Sequence, residues 1–204
     1  MTTKKMWINR MNTRIILFFI LSLLVSCATG AHLGEKVSPD WPDLRIDRDE
    51  FRNIAFIQSV VLNIGHGFTA PSPIELYIGI LEDGNSLRLR ATFNGSRWIF
   101  FNRAILINDQ GGNIQYNFNT SDINRTVISG NHVRERVDVP FSAYLMGIHT
   151  EAEKIKELRQ FLNGTNIRLR LSGESYREYN ISDRFVTALK DIITYYESIT
   201  SVIE

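Results

Sequence analysis

The side chains of this 204-residue chain best suited to moving protons near neutral pH are its four histidines, His32, His66, His132 and His149. None lies in an HExxH pattern, so the zinc-hydrolase arrangement of two histidines on one helix face is not written here. His66 stands between Gly65 and Gly67 on an expected loop, without an identifiable carboxylate or nucleophile beside it in sequence. His149 precedes Glu151 and Glu153, but two acids at a helix start also serve the helix dipole. Cys27 is the only cysteine, so the chain after it has no thiolate nucleophile and no zinc-thiolate set. Asp47-Arg48-Asp49-Glu50 and Glu82-Asp83-Gly84-Asn85 concentrate oxygen ligands, yet neither has the alternation and distant glutamate of a calcium loop. We therefore expect no metal and no cofactor. No GxSxG elbow occurs, although a serine triad assembled from separate loops leaves no sequence signature. The densest binding chemistry is aromatic. In Phe93-Asn-Gly-Ser-Arg-Trp98-Ile99-Phe100-Phe101, alternation puts Trp98 and Phe100 on one side and Ile99 and Phe101 on the other. Either the segment is covered on both sides, or one aromatic side is open as a binding patch formed by Trp98, Phe100 and Phe101. We expect at least one of Trp98 and Phe101 inside.

The elements that must position these residues are mostly strands. From Phe51 the hydrophobic period is two, with Ile54, Phe56, Val60, Leu62 and Ile64 on one side and Ile74, Leu76, Ile78 and Ile80 as a second set. Glu82–Asn85 is a turn, and Leu87, Leu89, Ala91 and Phe93 then alternate with Arg88, Arg90 and Thr92, as in an antiparallel strand wet on one side. Asn94-Gly95 predicts a second hairpin turn into a strand over 97–107, and Asp109–Gly112 a third into 114–118. A longer polar stretch leads to a strand expected over 127–139, where Val133, Val137 and Val139 alternate with Arg134, Arg136 and Asp138. Thr150-Glu151-Ala152-Glu153 is a capping box opening a helix of about 151–162, with an apolar stripe of Ala152, Ile155, Leu158, Phe161 and Leu162. A strand at Ile167–Leu171, a turn at Gly173-Glu174 and an eighth strand at Tyr176–Ile181 follow. Phe185, Leu189, Ile192, Tyr196 and Ile199 mark a second amphipathic helix of about 183–201. Together these predict a mainly β, α+β fold: an antiparallel sandwich or curved sheet of about eight strands, with two helices covering one face or end. No βαβ alternation or glycine-rich phosphate loop points to a nucleotide fold.

The amino-terminal segment carries a different kind of signal. Lys4, Lys5, Arg10 and Arg14 precede the run Ile15–Val25, apolar except for Ser22 and about half the ~20 residues a membrane-spanning helix needs. A basic start, a short apolar centre and small residues afterwards describe an export signal. Its end, Leu24-Val25-Ser26-Cys27, resembles the lipobox of bacterial lipoproteins. That resemblance covers residues 1–27 only and implies cleavage between Ser26 and Cys27 with diacylglycerol on the Cys27 thiol. Ser26-Cys27-Ala28 also reads as a small-x-small site for ordinary cleavage after Ala28, which would release a soluble chain. The expected organisation is a signal peptide over 1–26, a lipidated cysteine and flexible tether over 27–43, and one β-rich domain over 44–204. Trp41, the one bulky tether residue, is read as a plug docking the tether on the domain.

The chain holds 23 basic and 22 acidic side chains, and setting aside the four basic residues of the export segment leaves Cys27–Glu204 at about −3. An acidic domain lacks the cationic footprint that phosphate contacts require, so nucleic acid is not an expected partner. The expected role is a non-catalytic binding or assembly module, held at a membrane of the bacterial cell envelope by its lipid and meeting a protein or glycan partner there. The alternative is a small envelope hydrolase with a loop-assembled polar site.

Overall fold

The computed structural model describes residues 34–62, 72–143 and 150–200. The export segment with Ser26 and Cys27, and His32, His66 and His149, lie outside the described residues. Seven strands form one antiparallel sheet: β1 (Glu35–Ser38), β2 (Trp41–Asp49), β3 (Ile54–Ser59), β4 (Ile74–Leu81), β5 (Gly84–Gly95), β8 (Ile123–Ser129) and β9 (His132–Pro140), in the order β1-β2-β3-β4-β5-β9-β8. A second antiparallel sheet joins β6 (Arg103–Ile107), β7 (Asn113–Asn117), β10 (Arg168–Ser172) and β11 (Tyr176–Asn180) in the order β11-β10-β6-β7. The two helices are α1 (Glu151–Phe161) and α2 (Asp183–Thr200). The mainly β, α+β class expected from the periodicity is the observed one.

Inward-facing positions follow the alternation where one phase is clearly apolar. Ile57 pairs with Ile78, Ile78 with Leu87, and Leu89 with both Leu76 and Val139, and all of these side chains are buried. From the small sheet Ala104, Leu106, Ile114, Tyr116, Leu169 and Leu171 enter the same core, together with Leu158 of α1 and Leu189 and Ile192 of α2. Helix α2 packs on β2, β3 and β4, while α1 lies against β7 and α2. The α1 start is the expected capping box: the Glu153 amide donates to Thr150 Oγ1 at 3.2 Å, and the Thr150 amide to Glu153 Oε2 at 3.0 Å. Ala152 is exposed, so the apolar stripe of α1 begins at Ile155.

Several expectations are corrected. There are eleven strands among the described residues, not eight. Two of the additional ones occupy part of the expected tether: β1 pairs with β2 at the edge of the large sheet, and Trp41 packs edge-on against Tyr195 of α2 with ring centroids 5.6 Å apart. The polar composition that suggests a tether also suits a wet edge strand. The β3 phase is reversed. Ala55, Ile57 and Ser59 face the core while Ile54, Phe56 and Gln58 are half-buried on the other side, and Phe51 is fully exposed in the β2–β3 turn. Both phases of this strand are largely apolar, so alternation alone could not choose. Strand β3 ends at Ser59, and Ile64 of the expected longer strand lies outside the described residues. The single strand expected over 127–139 is broken by a turn at Gly130: β8 ends at Ser129 and pairs as a hairpin with β9, which begins at His132.

The largest correction concerns Asn94-Gly95. These residues form no hairpin: β5 runs on through Gly95, opposite Val133 of β9, and the chain then crosses without strand pairing to begin β6 at Arg103. The aromatic residues expected inside a strand sit in that crossover. Unlike the Asp83-Gly84 turn, where Gly84 has φ 132° and open space around it, Asn94-Gly95 is held straight by a partner strand.

Candidate functional site: an aromatic lip on a buried carboxylate

The crossover at 96–102 passes over the inner face of the β8–β9 hairpin, where a charged pair takes the place of core. Glu135 of β9 has the phase of Val133 and Val137 and is fully buried; Arg125 of β8 stands directly opposite. A buried carboxylate needs donors on both oxygens. Glu135 finds them in three consecutive main-chain amides: Ile99 and Phe100 donate to Oε1 at 2.7 and 2.9 Å, and Phe101 to Oε2 at 3.1 Å. Arg125 Nε donates to Oε2 at 3.2 Å. One side chain thus binds the crossover to the large sheet.

The small sheet holds the crossover from the other side. The Asn102 amide donates to the Ser172 carbonyl at 3.0 Å, the Ser175 amide to the Ile99 carbonyl at 3.2 Å, and the Phe118 amide to the Asn102 carbonyl at 2.8 Å. Gly173, in the β10–β11 turn, comes so close that a Cβ there would stand 2.0 Å from the Phe100 carbonyl oxygen. Only glycine fits.

These restraints hold Phe100 at φ 50°, a conformation that costs an ordinary L-residue about 1–2 kcal/mol and is rare for a bulky one. The consequence is a split of the predicted patch. Phe101 turns inward, is fully buried and meets Phe118 edge-on at 6.2 Å, so it belongs to the core and not to the patch. Phe100 turns outward with 41% of its surface exposed. Trp98 is half-buried beside it, with ring centroids 6.1 Å apart, and the Arg125 guanidinium lies 5.3 Å from the Phe100 ring centre. Trp98, Phe100 and Arg125 make a lip beside a cleft of about 420 Å³ whose polar lining includes Asn102, Arg103, Thr120 and Glu174.

Glu135 and Arg125 are absent from the sequence-based candidates. The signal for Glu135 was present: in Val133-Arg134-Glu135-Arg136-Val137 an acid occupies the core phase between two valines. Nothing local pointed to Arg125 or Gly173, because their roles depend on strands paired across the sheets.

A second polar centre lies on the opposite face of the large sheet. Tyr77 Oη donates to Asp138 Oδ1 at 2.6 Å, Arg88 Nε reaches the same oxygen at 3.0 Å, and Arg90 bridges Asp138 Oδ2 and Glu75 Oε2, each at 3.0 Å. Burial works against the Asp138 charge, but the Tyr77 hydrogen bond and the Arg90 and Arg88 guanidiniums outweigh it and hold the carboxyl below its ordinary value. Burial pushes the Glu75 carboxyl up despite Arg90, and its Oε1 is buried without a hydrogen-bond partner. Burial and the bond to Asp138 push the Tyr77 hydroxyl up to about 12. This closed network ties β4, β5 and β9 together.

The remaining candidates are dispersed. His132 is exposed at the start of β9; Asp47–Glu50 ends β2; Glu82 and Asp83 make the β4–β5 turn, where Glu82 accepts from Asn53 Nδ2 at 2.9 Å. Among the described residues no three His, Cys, Asp or Glu side chains group as metal ligands. Of the tyrosines, Tyr196 is buried, Tyr179 is half-buried, and the exposed Tyr176 lies under Arg170 at 5.0 Å. Comparison with known proteins finds no matching family, no similar curated protein and no similar solved structure.

Proposed function

We propose that this chain is a lipid-anchored protein of the bacterial envelope, whose β-rich domain is a non-catalytic binding module presenting the Trp98–Phe100 lip to a protein or glycan partner. Support for the anchor is the basic start, the short apolar run and Leu24–Cys27. The binding role rests on Phe100. Hydrophobic burial favours turning an aromatic ring inward, and relaxed backbone favours negative φ; Phe100 violates both. Three amide bonds into one buried carboxylate hold it there. Strain of this kind, over-determined by its surroundings, concentrates at ligand clamps and binding sites. A rigid exposed aromatic loses little conformational freedom on docking, which makes it an efficient anchor.

Two measurements test the proposal. Intact mass of the mature protein should show diacylglycerol on Cys27, and Cys27→Ala should abolish lipid incorporation; a mature chain starting at Thr29 without lipid would overturn the anchor. Affinity capture from the native envelope should recover a partner with the wild-type chain and lose it with Phe100→Ala. Equal recovery by both would overturn the lip.

A further inference from the structure

We infer that the cleft beside the lip binds a neutral saccharide, with one sugar ring seated against Phe100 and its hydroxyls held by Asn102, Arg103, Thr120 and Glu174. This rests on the lip being a binding surface and names the chemistry of what it takes. The cleft, about 420 Å³, is open, and Asn102, Arg103, Thr120 and Glu174 are all exposed, which suits a ligand that lies along the surface and keeps part of itself in water. Its lining is one aromatic ring among polar groups of every hydrogen-bonding kind. Arg103 only donates, Glu174 as a carboxylate only accepts, and Asn102 and Thr120 do both. A hydroxyl also donates and accepts, so a ring with several hydroxyls on its rim and C–H groups on its face matches that lining. An apolar peptide side chain would leave the polar groups unpaired, and a phosphate offers only acceptors to a site that itself contains an acceptor.

Charge narrows the class further. Arg125 is neutralised by Glu135 at 3.2 Å. Arg103 and Glu174 both line the cleft and contribute one charge of each sign. The formal charge of the site is therefore zero. A polyanion binds through surplus cations, and none is left over here. The pinned backbone adds a last element: Phe100 is already in place, so the ordering cost that weakens binding to flexible surfaces is met within the fold.

The test uses the full chain purified in detergent, titrated calorimetrically with neutral tetrasaccharides of the chitin, cellulose, mannan and galactan types, with inorganic polyphosphate as the charged comparator. At least one neutral tetrasaccharide should bind. Phe100→Ala should weaken it by about tenfold or more, as expected for removal of an aromatic anchor. Glu174→Ala and Arg103→Ala should each weaken it several-fold, and Trp41→Phe, remote from the cleft, should not. Glu174 and Arg103 are exposed, so their variants report on the cleft even if the Phe100 variant folds poorly. Failure of every neutral tetrasaccharide, binding indifferent to both Phe100→Ala and Glu174→Ala, or preference for polyphosphate would overturn the inference. If saccharides fail while Phe100-dependent capture of an envelope protein persists, the cleft assignment falls and the lip stands. Loss of both ends both.

Discussion

Adjacent in sequence, Phe100 and Phe101 meet opposite environments because one carboxylate fixes the backbone between them. Phe101 fills core, so Phe101→Ala should cost ~3–5 kcal/mol, a large share of the ~5–15 kcal/mol that holds a typical domain. Phe100→Gly removes a ring that is half in water and at the same time relieves a positive φ. Its stability should stay within ~1 kcal/mol of wild type, while partner capture is lost. Denaturant melts on the two variants read this contrast directly, and equal losses would refute it. Glu135→Ala leaves three amides and Arg125 without their acceptor and should cost ~3–5 kcal/mol. Glu135→Gln keeps the volume and one acceptor but turns an N–H₂ toward amide donors, so a smaller loss of ~1–3 kcal/mol is expected.

At the scale of elements, the crossover is a splice between two sheets, and its position depends on how closely the β10–β11 turn approaches it. Gly173→Ala places a methyl 2.0 Å from the Phe100 carbonyl oxygen, and the nearest atoms are all backbone of Phe100 and Phe101, with no flexible side chain to yield. We expect a loss of ~1–3 kcal/mol or more in a thermal or denaturant melt, together with weakened capture, because the crossover must move off the turn. The comparison is Gly79→Ala in β4, where the backbone is extended and the added Cβ would meet Arg88 Cδ at 3.7 Å, an ordinary van der Waals contact with a flexible side chain. That variant should melt near wild type. Similar behaviour of the two would show that approach distance is not what matters at Gly173. Between the helices, Arg159 Nη2 meets Glu197 Oε2 at 2.5 Å, but both side chains are more than one-third exposed, so little stability is assigned to that pair.

For the whole molecule, acid stability follows from the ionic network across β4, β5 and β9. Asp138 is held below its ordinary pKa of 3.8, so it contributes stability above that value and loses it as pH falls through the folded pKa. Glu75 is raised above 4.5, so its effect has the opposite sign: stability is gained as pH falls from its folded pKa toward 4.5. In melts resolved by pH, Asp138→Asn should flatten the loss of stability below about pH 4. Glu75→Gln should remove the opposing gain above 4.5. An acid limb unchanged by Asp138→Asn would place acid sensitivity elsewhere. No cysteine follows Cys27, so core burial must hold the domain without a disulfide, and a chain begun at Gly34 should melt at the same temperature with or without a thiol reductant.

Much of the local structure was legible because its signals are local. The phases of β4, β5 and β9, the Asp83-Gly84 turn, the Thr150 capping box and the amphipathic stripe of α2 each depend on residues within a few positions of one another. The opposed sides of Phe100 and Phe101 are not of that kind: alternation presupposes the strand expected over 97–107, whereas the segment is a crossover in which Phe100 has φ 50°. Pairing is not local. Asn94-Gly95 has the composition of a hairpin, and only β9, 40 residues farther on at the Asn94↔Arg134 pair, extends it as strand. Ile54–Ile57 is apolar in both phases, so the choice of inward side belongs to its neighbours β2 and β4. The lip is the extreme case. Its strain, its carboxylate support and its cleft come from residues on β8, β9 and the β10–β11 turn, brought together because a buried charge must find donors and the nearest were the amides of the crossover.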